Sequence, residues 1–243
     1  MVFPFTLLPT EISLEIIRVA SIPSCDDATA PRPSYATAVS MASVSHTMRS
    51  ATMPHLLHSV VLASSPQVLS FIDSILLQKQ LATSATPLAL DYTKLVRRFW
   101  STECWEPLME DSPDYRIDYG ALYDIICRVE SLGLNFRSLH LLYNGLASPG
   151  ADPARDWKCG RVTFAGLFPR WKPLTSSTEG MIFLSRISHL TLWISTYHNS
   201  WPTHERRVPN WIGEMPLSSF RNLTHLAFSL VSDPPQKWPS GAD

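Results

Sequence analysis

"ISHLTL" at residues 187–192 and "LTHLAF" at 223–228 are the stretches on which the fold turns. Each places apolar side chains at its first, fourth and sixth positions: Ile187, Leu190 and Leu192, then Leu223, Leu226 and Phe228. The last two of each set are alternate residues, and alternate residues of a strand share a face. Each stretch therefore predicts a short strand with one buried side. The same apolar-x-x-apolar-x-apolar spacing recurs in "LHSVVL" (Leu57, Val60, Leu62), "ATPLAL" (Ala85, Leu88, Leu90) and "FRSLHL" (Phe136, Leu139, Leu141). Successive starts lie 28, 51, 51 and 36 residues apart (85 − 57, 136 − 85, 187 − 136, 223 − 187).

Helical stretches fill the intervals. "SPQVLSFIDSILLQKQ" (65–80) opens with Ser65 as an N-cap and Pro66 at the first helical position. "DYGALYDIICRVESLG" (118–133) and "STEGMIFLSRIS" (177–188) carry helical apolar spacing. "SPGADPARDWKCGRVTFAGLFPRWKP" (148–173) reads as an inserted loop. Alternating helices and strands give an α/β class. Two architectures share it: an irregular leucine-rich-repeat-like solenoid of parallel strands, or an ordinary α/β sheet with those strands in its core. The last strand is followed only by "VSDPPQKWPSGAD", with neither helix nor cap, which is the expectation for a repeat array truncated at its C-terminal end.

With 243 residues, 45% of them hydrophobic, the chain can bury a sizeable core. A net charge of −1 gives no field to attract nucleic acid or an anionic membrane non-specifically. No apolar run approaches the roughly 18 residues of a membrane span, and Pro4 and Pro9 interrupt the apolar opening, which lacks the basic start of a secretory signal. Cys25, Cys104, Cys127 and Cys159 are scattered without a C-x-x-C pair, the expectation for reduced thiols in the cytoplasm or nucleus.

The N-terminal stretch "LLPTEISLEIIRVA" (7–20) predicts a helix from Pro9 to Ala20. Pro9 suits the first helical position, and Glu11 complements the helix dipole. Ile12, Ile16 and Val19 form an apolar stripe broadened by Ile17, with Glu15 and Arg18 opposite. A Pro-rich loop follows at 21–34. One or two short helices are then expected across 35–54, ending before Pro54, since a residue preceding proline is disfavoured in helix.

Taken together, "LPTEISLEIIRVA" and "AVSMASVSHTMRSATMPHLLHSVVL" resemble the F-box motif. Leu8, Pro9, Glu11, Ile12, Ile16 and Ile17 match its Leu-Pro-x-Glu-Ile opening. Val44, Ser45 and Arg49 match its Val-Ser-x-x-Trp-Arg element, and Pro54, Leu56 and Leu57 its Pro-x-Leu step. Met48 stands where that motif carries tryptophan, and the 21–34 loop is longer than usual. The whole resembles F-box proteins of mushroom-forming fungi, in which an F-box leads into degenerate leucine-rich repeats. The resemblance implies an F-box-like helical module at 1–62 and a repeat-like region at 63–243. It implies a non-enzymatic substrate receptor of an SCF-type cullin–RING ubiquitin ligase, docked on a Skp-type adaptor through Leu8, Pro9, Glu11, Ile12, Ile16, Val44, Ser45, Met48, Pro54 and Leu56. The repeat region would hold an unidentified protein substrate. The alternative is an interaction scaffold of the same build with no part in ubiquitylation.

No motif carries catalytic chemistry: G-x-S-x-G, H-E-x-x-H and phosphate-binding glycine loops are all missing. No catalytic residue, cofactor or metal ligand is therefore assigned, and nucleic acid and membrane are not expected as partners. His46, His55 and His58 do not share a helix face, and His198 and His204 have no neighbouring cysteine. Asp111 and Asp114 read as a turn, and "ERR" at 205–207 as a solvated loop. Trp100, Trp105, Trp157, Trp171, Trp201, Trp211 and Trp238 could serve either as gap-fillers between loops and core or as anchors of a binding surface.

Overall fold

The computed structural model describes residues 8–22, 35–105, 117–166, 170–195 and 214–231. Three helices come first: α1 (Thr10–Ser21), α2 (Ala36–Ala42) and α3 (His46–His58). Strand β1 (Ser59–Leu62) leads into α4 (Ser65–Thr83), α5 (Tyr92–Leu95) and β2 (Arg98–Ser101). Then come α6 (Tyr119–Ile126), β3 (Ser131–Asn135), a 3-10 turn at Phe136–Ser138, α7 (Leu139–Leu146), α8 (Pro153–Asp156) and β4 (Arg161–Ala165). Helices α9 (Lys172–Thr175) and α10 (Thr178–Arg186), β5 (His189–Ser195), a 3-10 turn at Leu217–Ser219 and β6 (His225–Val231) are the last of the described elements.

The strands form one six-stranded parallel sheet in the order β1-β2-β3-β4-β5-β6, each paired with the next in sequence. Alternate residues point inward. Val60, Phe99, Leu132, Val162, Leu190 and Leu226 are in register as one inward row, and Leu62, Ser101, Leu134, Phe164, Leu192 and Phe228 as the next. All are buried except Leu226 and Phe228 on the final strand. With side chains of α4, α6, α7 and α10 the buried apolar members make one core, each large aliphatic or aromatic contributing about 1.5–3 kcal/mol when fully buried.

An apolar residue three positions before the first inward one joins the same core, so every strand carries the same six-residue signature. It reads Leu57/Val60/Leu62, Val96/Phe99/Ser101, Val129/Leu132/Leu134, Cys159/Val162/Phe164, Ile187/Leu190/Leu192 and Leu223/Leu226/Phe228. Successive copies lie between 28 and 39 residues apart (190 − 162 and 99 − 60). The polar exception, Ser101, is fully buried and satisfied: its hydroxyl donates to Ser138 Oγ at 3.0 Å, and Ser138 Oγ accepts from Cys104 N at 3.1 Å.

Three strands, β1, β5 and β6, lie where the spacing predicts. Two expected strands are absent. "ATPLAL" is a loop because Ala85 adopts a left-handed conformation, φ 49°, closing α4. Thr86 N donates to Leu81 O and Ala85 N to Ala82 O, the paired bonds of a Schellman C-cap. The loop is then held by the buried Gln78, whose Oε1 accepts from Leu90 N at 2.8 Å. "FRSLHL" is helical, because the strand runs just before it at 131–135; for the same reason α6 ends at Ile126 rather than near 133. The expected insertion at 148–173 contains β4, α8 and part of α9. Helix α3 continues through Pro54 to His58. Proline removes one bond to the Ser50 carbonyl, and Ser50 is exposed, so water can serve that acceptor. Ser64 rather than Ser65 precedes α4.

Left-handed alanine is strained where glycine is not. Ala85→Gly is expected to raise stability by about 0.5–1 kcal/mol, read as a higher urea midpoint at unchanged slope; a lower midpoint would contradict the capping geometry.

Candidate docking surface

Helix α1 begins one residue later than the sequence suggests: Pro9 is its N-cap, and Pro9 O accepts from Ser13 N at 3.0 Å. It packs on α2 and α3. Only Ile17 and Ser21 are buried, with Ser21 Oγ donating to Ile17 O at 2.6 Å. At about 100° per residue, Ile17 lies roughly 100° to 160° around the helix from Ile16, Ile12 and Val19. The stripe therefore faces outward: Ile12 is 50% exposed, Ile16 41% and Val19 57%. Glu15 and Arg18 form an exposed ion pair beside it, the guanidinium holding the Glu15 carboxyl below its usual range.

The other expected docking residues separate by role. Pro9, Glu11 and Val44 are exposed, Val44 at 73%, as is Val39 on α2. Leu8 is half-buried. Ser45 caps α3, its hydroxyl accepting from Met48 N at 3.2 Å, so its role is local. Met48 is half-buried, Pro54 exposed, and Leu56 packs against the sheet core. Ile17 and Ala38, the buried apolar residues of α1 and α2, lie outside that core; α3, through Leu57, Met53 and Leu56, is the helix that reaches it.

An open apolar groove of about 500 Å³ runs between α2, α3, β1 and α4, lined by Tyr35, Val39, Leu56, Val61, Pro66 and Phe71. The Tyr35 hydroxyl donates to Ser59 O and accepts from Val61 N, both at 3.3 Å. It thus occupies backbone groups that an edge strand would otherwise offer to another chain.

The cysteines within the described residues, Cys104, Cys127 and Cys159, are free and buried. Burial pushes Cys127 up to about 11 and Cys159 up to about 12, so neither is a thiolate nucleophile at neutral pH. No group of three metal-ligating side chains converges among the described residues. No described helix is long and apolar enough to cross a membrane. Trp157 and Trp171 fill the core, Trp157 Nε1 donating to Cys159 O at 2.8 Å, whereas Trp105 is exposed and carries the Arg137 guanidinium 4.4 Å above its ring. Two features escape the sequence reading: exposed Trp193, and the stacked pair His189 and His225. The repeated "[ST]-H-L" at 188–190 and 224–226 is the signal that locates the pair. Cys25, Asp111, Asp114, His198, His204, 205–207, Trp201, Trp211 and Trp238 lie outside the described residues. Compared with protein-family models, curated proteins and solved structures, the chain matches none.

The exposed stripe and the buried Ile17 make opposite predictions. Ile12→Asp with Ile16→Asp is expected to lower the unfolding free energy by no more than about 2 kcal/mol, the half-burial those two side chains have, and to leave the N-terminal helices folded. Ile17→Asp, which buries a carboxylate, is expected to melt the N-terminal helices. Equal destabilisation by both variants in thermal denaturation would show that the stripe is internal after all.

Proposed function

We propose that the chain is the substrate-receptor subunit of an SCF-type cullin–RING ubiquitin ligase. It would dock on a Skp-type adaptor through its N-terminal helices and hold a target protein with its sheet region. The observation that carries this reading is the outward stripe Ile12, Ile16 and Val19 on a helix whose sequence resembles the F-box opening. A soluble helix turns its apolar stripe into a core; one that turns it outward is fitted to a partner. Six copies of one strand signature, sequentially paired with helices between them, support reading the remainder as a leucine-rich-repeat-like solenoid. Such a receptor needs no catalytic group, because tethering raises the effective concentration of substrate beside the conjugating enzyme. It would act in the cytoplasm or nucleus and need no cofactor.

One residue favours a second reading. Met48 replaces the tryptophan of the F-box pattern and is half-buried, so the adaptor-facing module lacks a large packing anchor. On that reading the chain is an interaction scaffold outside ubiquitylation.

Adaptor binding separates the two. The purified full chain is expected to bind a Skp-type adaptor in isothermal titration, with affinity reduced at least about a hundredfold by Ile12→Asp plus Ile16→Asp, consistent with loss of two apolar anchors. A folded parent chain that shows no heat of binding across a panel of such adaptors would leave the scaffold reading.

A further inference from the structure

Outward positions of the six strands form a second surface, opposite the helices. Its first row, in register across β2 to β6, is Arg98, Ser131, Arg161, His189 and His225. Arg98, Arg161 and His225 are exposed. The two imidazoles stack with centroids 4.2 Å apart and planes 5° from parallel. Each Nδ1 is engaged by the hydroxyl of the preceding residue at 2.9 Å, Ser188 for His189 and Thr224 for His225. This fixes the rings with Nε2 free of protein partners among the described residues. Arg97, Arg137 and Arg155 each have a carboxylate partner; Arg98 and Arg161 have none among the described residues. None of the six described strands contains an Asp or Glu. Glu130, at the start of the face, is turned to Arg97 at 3.6 Å.

Further along the strands lies an aromatic platform, Trp100 two residues beyond the row and Trp193 four. Trp100 on β2 lies flat across β3, where Gly133 makes room: a Cβ there would come within 1.8 Å of the indole. The ring thereby reaches towards Trp193 on β5, centroids 5.1 Å apart, and Trp193 is 42% exposed. Two arginines and two histidines, the arginines without a carboxylate partner among the described residues, thus stand in one row, with Trp100 two residues of strand rise along, about 7 Å, and Trp193 four residues along, about 13 Å.

We propose that this open face is a docking surface for an extended acidic segment of a partner protein. Carboxylates of the segment would pair with Arg98 and Arg161 and accept from His189 and His225, while an apolar side chain between them would rest on Trp100 and Trp193. The proposal rests on the receptor reading for its use, naming the chemical class of substrate that the sheet region takes. Charge complementarity selects the occupant. Nucleic acid is disfavoured, since two permanent cations stand on the face among the described residues and the whole chain has a net charge of −1.

The histidine pair couples docking to pH. His189 lies below the ordinary histidine value through desolvation, His225 and Arg161. Arg161 from β4 and His225 from β6 are the charged or titratable groups flanking it in its row, and both oppose its protonation. An arriving carboxylate reverses that balance, raises the bound-state value and draws a proton in. Affinity therefore rises as pH falls, and the gain vanishes above the histidine range.

Six strands span roughly 24 Å, the reach of about seven extended residues. The test is selection of peptides of about ten residues from a random display library on the full chain, with no adaptor present, followed by fluorescence anisotropy of the winners. Enriched peptides are expected to be net acidic, to bind at least about tenfold more weakly to Arg98→Glu plus Arg161→Glu and to Trp193→Ala, and to bind more tightly at about pH 6 than at about pH 8. His189→Ala plus His225→Ala should flatten that pH profile. Absence of enrichment, a neutral or basic consensus, indifference to the charge reversal, or tighter binding of oligo(dT) than of the acidic peptides would overturn the proposal. Failure here leaves adaptor docking untouched, and loss of adaptor docking leaves this binding measurable.

Discussion

Sequential parallel pairing is the constraint on which the molecule depends. When each strand lies beside the next in the chain and runs the same way, every connection must return to the strand start. The inward residues then stack into rows: Val60 beside Phe99 beside Leu132, and onward to Leu226. Because side chains alternate, a slip of one residue in any strand would expose its whole apolar set. Register from β1 to β5 is therefore held by burial of two residues per strand, reinforced by the apolar residue three places earlier. Helices that cover this face leave the other face free of the core, and its composition is correspondingly free to serve binding.

The same constraint explains what could be read from residues alone. The strands β1, β5 and β6 carry three strongly apolar signature residues, so spacing finds them. The β2 signature hides because Ser101 takes an inward position and arginines precede it, and only the hydroxyl network with Ser138 shows why serine is tolerated there. Strand β3 hides because Gly133 resembles the end of a helix, although its lack of a Cβ answers to Trp100, a residue more than thirty positions earlier (133 − 100). "ATPLAL" has the spacing without the conformation, since Ala85 is spent on closing α4. Local pattern identifies candidates, and cross-strand neighbours decide among them.

Helix α1 was legible as an amphipathic element, and its exposed side was not. Ile12, Ile16 and Val19 make the same stripe whether it is buried or open. The decision belongs to Ile17, which takes the inward position against α2 and α3 and so rotates the stripe outward. Ser45 and Leu56, which fit the same motif, turn out to serve a helix cap and the core. Trp193 escaped because it lies one step past the six-residue signature, on the face that periodicity of burial does not describe.

Helix α1 also differs from the sheet in how firmly it is held. A twelve-residue helix is marginal by itself in water, and this one is anchored by one buried isoleucine and one buried serine. Its exposed stripe forgoes roughly 1 kcal/mol for each half-exposed aliphatic residue, taking half of the full burial value. The helix thus belongs to the low-stability end of the molecule, while the sheet core, with its in-register rows, belongs to the high end. Any partner that covers Ile12, Ile16 and Val19 supplies the missing burial and stabilises the helix by mass action. Such a partner would in this sense complete the N-terminal module, whereas the sheet stands by its own packing and presents its open face whether or not the other end is covered.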